Sequence, residues 1–271
     1  MRICSGIFII LVVLAAVSIA VAPCTVFSFV SEGGIWFGNS EDHDDDPFIW
    51  FLEPRRGVHG VLCLGFGYGA MQGGMNDVGL CYDATGGTSH VLNWHKELPQ
   101  PPGNWPTQVL QQCETVDDVE AYIRRYDYSS KGMAQFLYLD RNGDSLVVTS
   151  TRDGELAFLR QSGGHRVITN FNVTNRWVGT YPCWRYDIAD AALRRLAVPS
   201  ASPSIATFRA VLSGVCIPGY TAYSNVFDVA NRMAYVYRAG DFDDVRIIDL
   251  AAVFAEGPPG PMTLAEFWQT D

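Results

Sequence analysis

Cys24 is the position in this sequence at which residue type and placement together suggest covalent chemistry. It follows a run from Ile7 to Ala22 that has no charge and is almost all Ile, Val, Leu and Ala, and it opens a strand-like segment, Thr25 to Val30. If the chain is cut just before it, the residue carries both a thiol and an α-amine. Their ordinary pKa values, ~8.5 and ~7.7–8.0, let one take the other's proton near neutral pH. Such a nucleophile needs no histidine, and the five present (His43, His59, His90, His95 and His165) stand in no context that marks a Cys–His pair. Composition by itself favours the plainer reading, a small buried cysteine at the start of a strand.

Other groupings carry less. The run Glu41-Asp42-His43-Asp44-Asp45-Asp46 crowds oxygen ligands together but lacks the spacing of a calcium loop. Asp44 to Asp46 read as a solvated loop, whereas Asp42 sits close after a strand and stands apart from them. Gly65-Phe66-Gly67-Tyr68-Gly69-Ala70 fits the letters of a dinucleotide fingerprint, but Met71-Gln72-Gly73-Gly74-Met75-Asn76 cannot form the helix that motif needs. No G-x-S-x-G, H-E-x-x-H or G-x-x-x-x-G-K occurs, and the cysteines form no C-x-x-C pair, so neither a metal nor a cofactor is expected.

The elements that must position these residues follow from composition and pattern. The chain has 271 residues, 48% hydrophobic and 18% charged, enough apolar material for one sizeable core. A formal net charge of −10 lacks the basic footprint of nucleic-acid binding. Residues 1–23 read as a secretory signal plus a short propeptide. The apolar run is shorter than the ~20 residues of a spanning helix, and Ser18, Ala20 and Ala22 offer cleavage sites. An uncleaved anchor is the alternative. The exported product is expected to be secreted or periplasmic, with no membrane attachment after cleavage. Residues 24–271 read as a single domain.

That domain is strand-rich. Thr25 to Val30 and Ile35 to Phe37 flank a Gly-bearing turn, and further strands are predicted at Phe48–Leu52, Gly60–Leu64, Gly79–Tyr82, Gln135–Leu139, Ser145–Thr149, Leu156–Leu159, Tyr223–Val229, Ala234–Tyr237 and Val245–Leu250. Helices are predicted from Thr115 to about Tyr126, from Tyr186 to Ala197 and near Ile205 to Leu212. The pattern implies mixed α and β structure in packed layers.

The wider pattern resembles a known family. Cys24-Thr25 opening a hairpin, followed by Phe37-Gly38-Asn39-Ser40-Glu41-Asp42, is similar to the mature start of the N-terminal-nucleophile linear amide C–N hydrolases, the group of choloylglycine hydrolases and penicillin V acylases. Gln72-Gly73-Gly74-Met75-Asn76-Asp77-Val78-Gly79-Leu80, Val167-Ile168-Thr169-Asn170, Tyr181-Pro182-Cys183-Trp184-Arg185-Tyr186 and Thr221-Ala222-Tyr223-Ser224-Asn225 extend the likeness in order along the chain. The resemblance implies an α+β, four-layer αββα sandwich. It makes Cys24 the nucleophile and its freed amine the base, with Asp42 holding both in place. Asn170 would donate to the oxyanion, and Arg185 would lower the thiol pKa. A backbone amide near Tyr82 or Asp83 would complete the oxyanion hole.

At Asn39 the sequence departs from the arginine that many members carry, and asparagine supplies neither charge nor a bidentate fork. Bile-salt and penicillin V specificity are therefore in doubt, and the reading moves toward the acylase and acyltransferase-like branches. The expected partner is a small N-acyl amide cleaved through an acyl-thioester. The alternatives are acyl transfer on the same site and a secreted, non-catalytic binding protein that keeps the fold. If Val21-Ala22-Pro23 survives signal removal, the amine of Cys24 stays locked in an amide until the Pro23–Cys24 bond is cut, which implies self-cleavage. Homo-oligomerisation is left open, and no modification is inferred from the sequon Asn172-Val173-Thr174.

Overall fold

A computed structural model describes residues 24–87, 97–129, 134–197 and 203–270. The apolar run, the proposed cleavage site at Pro23, and His90 and His95 lie outside the described residues. The chain begins with the hairpin β1 (Thr25–Ser31) and β2 (Gly34–Asp42), then β3 (Phe48–Leu52), β4 (Val61–Gly65), β5 (Met71–Asn76) and β6 (Cys81–Gly86). Helices α1 (Trp105–Gln112) and α2 (Val116–Ile123) precede β7 (Ala134–Leu139), β8 (Asp144–Ser150), β9 (Leu156–Ser162) and β10 (Gly164–Ile168). After α3 (Trp184–Leu196) and α4 (Ile205–Val215) come β11 (Thr221–Asp228), β12 (Met233–Arg238) and β13 (Asp241–Asp249). The chain then closes with α5 (Leu250–Glu256), β14 (Met262–Thr263) and α6 (Leu264–Phe267).

The strands form two antiparallel sheets, one in the order β10-β1-β2-β11-β12-β13 and the other β14-β3-β4-β5-β6-β7-β8-β9. Because side chains alternate along a strand, each sheet offers two apolar faces. In β4, Leu62 and Leu64 point into the layer between the sheets, where they meet Val26, Phe37 and Phe227, while Val61 and Cys63 point outward to α1 and α2. In the first sheet Val26 faces inward, and Phe27 and Phe29 face Leu193 of α3 and Phe208 of α4. Helix, sheet, sheet and helix therefore stack as the four-layer αββα sandwich that the sequence resemblance implies.

Local rules account for several boundaries. Thr115 caps α2 in a reciprocal capping box with Asp118, as the sequence predicts, although the helix stops at Ile123. α3 starts at Trp184, two residues earlier than the apolar periodicity indicates, which puts Arg185 in its first turn. The stretch around Pro99 to Pro106 contains a helix missed by pattern, α1, with Pro106 in its first turn, where the missing N–H costs nothing. Strands β5 and β10 were also not legible, since four of the six residues of β5 are glycine or polar, and β10 shows only two buried residues. No disulfide joins the six described cysteines to one another. No described helix is long and apolar enough to cross a membrane.

Candidate active site

Strand register assembles the site. β1 pairs with β2 so that Thr25 faces Ser40, and one step further places Cys24 opposite Glu41. β1 pairs with β10 so that Val26 faces Ile168, and two steps further bring Asn170 to the other side of Cys24. β11 lies beyond β2, with Tyr223 opposite Glu41 and Thr221 opposite Asp42. Directly opposed residues of antiparallel strands share a face. The thiol of Cys24 therefore points with Glu41 into the layer between the sheets.

Both reactive atoms of Cys24 are held by side chains. Its backbone nitrogen donates to Asn170 Oδ1 at 2.7 Å, and its Sγ donates to Glu41 Oε2 at 3.0 Å. Asn39 Nδ2 donates to the other oxygen of Glu41 at 3.1 Å, which fixes the carboxylate with Oε2 toward the sulfur. Asp42 alternates to the opposite face, where its Oδ2 takes a bond of 3.1 Å from Arg185 Nη1 and its Oδ1 accepts from the Thr221 hydroxyl. Arg185 Nη2 reaches Asn170 Oδ1 at 2.9 Å, so one guanidinium ties Asp42 to the residue that orients Cys24. Relative exposure is 4% for Cys24 and Arg185 and 0% for Glu41 and Asp42.

Behind Glu41 lies Asp83. Parity on β6 turns Asp83 toward the inter-sheet layer and Tyr82 away from it, into the cluster under α1 and α2 with Trp105 and Tyr138. Asp83 Oδ1 accepts from the Ala84 N–H at 2.6 Å. The carboxyl group of Asp83 lies against that of Glu41. Burial and then the charge of Glu41 hold the Asp83 carboxyl well above the usual carboxylate range. Burial raises Glu41 to about 7, opposed by its hydrogen bonds from Cys24 and Asn39. Burial likewise lifts Asp42 to about 6, against the pull of Thr221 and Arg185.

The expectation that Arg185 lowers the Cys24 pKa is not what the site shows. Burial first, then the charge and hydrogen bond of Glu41, push the thiol well above its ordinary value, while the backbone N–H of Asp42 draws it down. The guanidinium is committed to Asp42 and Asn170. Asn170 likewise uses its carbonyl oxygen on Cys24, and its Nδ2 donates to the Gly86 carbonyl at 3.1 Å. Asn172 of the sequon is buried, its Nδ2 bonded to Thr149 Oγ1 and to the Ser150 carbonyl.

A cavity of about 350 Å³ opens against Cys24 and is bordered also by Glu41, His43, Phe66, Met71 and Gln72. His43 stacks on Phe66 with ring centroids 4.1 Å apart. The volume is at the low end for a small-molecule site, ~300–1,000 Å³. Among the described residues, no group of three or more His, Cys, Asp and Glu side chains could hold a metal ion.

Sequence reasoning brought Cys24, Asp42, Asn170 and Arg185 forward, and the fold gathers all four. Asn39 and Asp83 join them through Glu41, and the Tyr82 side chain does not. Glu41 was overlooked as a site residue. Its signal was present in the strand parity, because it shares a face with Phe37 and Asn39 on β2.

No family model and no curated protein matches the chain at the level of sequence. Solved structures do match it. Two variants of conjugated bile acid hydrolase from Clostridium perfringens superpose with TM-scores of 0.67 and 0.68 at 15% identity, each covering 89% of this chain and 96% of that one. Penicillin V acylase from Agrobacterium tumefaciens superposes with a TM-score of 0.66 at 16% identity, covering 87% and 89%. The chain thus has the fold of the N-terminal-nucleophile linear amide hydrolases.

Proposed function

We propose that this protein is an exported hydrolase of linear, non-peptide amides, with Cys24 as the nucleophile of a chain that begins at that residue when mature. The observation that carries this reading is the fixing of both ends of Cys24. Asn170 and Glu41 hold its nitrogen and sulfur in one buried polar cluster beside a cavity. Burying such a cluster is costly for a fold that does not use it.

In the mature chain the freed amine of Cys24, oriented by Asn170, takes the thiol proton as sulfur attacks the substrate carbonyl. The proton passes to the departing amine, leaving an acyl-thioester that water, deprotonated by the same amine, resolves to the carboxylic acid. Arg185 keeps Asp42 and Asn170 in register and so keeps the nitrogen aimed. Among the described residues the cavity wall offers the Glu41 carboxylate and no guanidinium, and Asn39 adds no charge. N-acyl amides with a neutral or cationic amine half therefore suit it better than anionic conjugates.

The test is a panel of N-acyl amides with neutral, cationic and anionic amine halves, assayed for released amine with the mature protein. Hydrolysis of at least one is expected, with the anionic members poorest. Cys24→Ala is expected to lower kcat/KM by about 10³-fold or more. Turnover that survives Cys24→Ala would overturn the assignment.

A further inference from the structure

We propose that Glu41 takes the thiol proton of Cys24 in the self-cleavage that frees the Cys24 nitrogen. The role rests on the reading of Cys24 as nucleophile and adds a proton acceptor that the reading does not supply. While Cys24 is joined to Pro23 its nitrogen is an amide. The lone pair is delocalised into the carbonyl, and the N–H is donated to Asn170 Oδ1 at 2.7 Å. That nitrogen cannot accept a proton. The acceptor on the sulfur is Glu41 Oε2, at 3.0 Å, within the reach a general base needs.

The surroundings fit a base. Glu41 is faced by Cys24 from β1, Asn39 from β2, Asp83 from β6 and Tyr223 from β11, with His43 beside it on the cavity wall, while Asp42 and Tyr82 point to the opposite faces of their sheets and act on it only electrostatically. Burial raises the pKa of both tyrosines and of Asp83, and Glu41 is the carboxylate in direct contact with the sulfur. Moving the proton from Sγ to Oε2 shifts one negative charge from oxygen to sulfur and creates no new charge, which suits a buried pair. The backbone N–H of Asp42 is placed to hold the thiolate.

The step balances. The S–H bond breaks and its proton goes to Glu41 Oε2, while sulfur bonds the carbonyl carbon of Pro23. The C–N bond between Pro23 and Cys24 then breaks, and its nitrogen takes the proton back from Glu41. The products are a thioester and a free α-amine, and water hydrolyses the thioester to the Pro23 carboxylate and the thiol. Glu41 ends as it began. Because burial sets Glu41 at about 7, its basic form and the cleavage rate both rise through neutrality.

The experiment is cell-free synthesis of the full chain without signal peptidase, followed over time by intact mass from about pH 5.5 to about 8.5, for wild type, Glu41→Gln, Glu41→Asp and Cys24→Ala. Wild type is expected to end at Cys24, faster as pH rises through neutrality, and Cys24→Ala to stay uncut. Glu41→Gln is expected to cut about 10²-fold more slowly or worse, with Glu41→Asp in between. Iodoacetamide should label Cys24 in Glu41→Gln at least as fast as in wild type, since the charge that holds the thiol protonated is gone; a merely disordered site would not combine that with lost cleavage. Glu41→Gln cutting at the wild-type rate, or a wild-type rate flat across neutrality, overturns the role. Cutting of Cys24→Ala at the wild-type rate overturns self-cleavage and this role together, while the amide panel judges the hydrolase reading separately.

Discussion

Arg185 Nη1 lies 3.1 Å from Asp42 Oδ2, closing a buried ion pair between residues 143 apart in sequence. The same guanidinium bonds Asn170, so a single side chain links the outer helix to the segments on both sides of Cys24. Removing it leaves a buried carboxylate without its cation. Arg185→Met is expected to cost about 3–5 kcal/mol at pH 8 and to abolish activity. Near pH 5 Asp42 can protonate, its pKa being about 6, and the cost should shrink. Chemical denaturation at the two pH values checks this; an equal penalty at both would contradict it.

The raised carboxylates make stability pH-dependent in an unusual direction. Glu41 at about 7 and Asp42 at about 6 bind protons more tightly folded than unfolded. Their neutral forms favour the fold below the ordinary carboxylate range, and that contribution is lost as pH rises through 6 and 7. Urea midpoints are expected to fall from about pH 5 to about pH 8. Glu41→Gln should flatten the slope and be more stable than wild type at the upper end, even though it processes poorly.

Gly73 on β5 holds the space that Asp83 occupies. A Cβ there would lie 2.1 Å from Asp83 Oδ2 and 2.9 Å from its Cγ. Gly73→Ala is expected to drive the carboxyl out of place and to cost about 1–3 kcal/mol. With Asp83 displaced, Glu41 loses a hydrogen bond that lowers its pKa, so the Glu41 pKa should rise. The midpoint of the pH–processing profile should move up with it. An unchanged profile in a folded Gly73→Ala protein would separate Asp83 from Glu41.

Gly179 does the same for Asn170. Its φ of +93° is left-handed, and a Cβ would meet the Asn170 carbonyl oxygen at 2.1 Å. Gly179→Ala is expected to shift the Asn170 backbone, loosen the hold on the Cys24 nitrogen and lower kcat more than it raises KM. Parallel measurement of both constants on the best panel substrate decides the point.

Much of the layered architecture was legible because alternation and turn residues are local. Phe27 and Phe29 against Val26, or Leu62 and Leu64 against Val61 and Cys63, declare two apolar faces within a few residues. Strand β5 was not legible, because Gly73 and Gly74 present no side chains to alternate; their meaning is the close approach of Asp83 and of the Leu62 carbonyl. α1 was hidden by prolines that signal a break and here mark a first turn. Asn170 and Arg185 were reached by resemblance alone, since neither stands out in its own stretch of chain.

The sequence by itself brought forward Cys24 and determined the faces of β2, including the parity that sends Glu41 and Asp42 to opposite sides. It could not determine which carboxylate meets the sulfur. That was decided by the pairing of β1 with β2 on one side and β10 on the other, which sets Cys24 between Glu41 and Asn170 across separations of 17 and 146 residues. Register between strands depends on the whole inter-sheet core packing at once. The raised pKa values follow from the same cause, because withdrawal of Glu41 and Asp83 from water is a property of the closed sandwich and of no short segment within it.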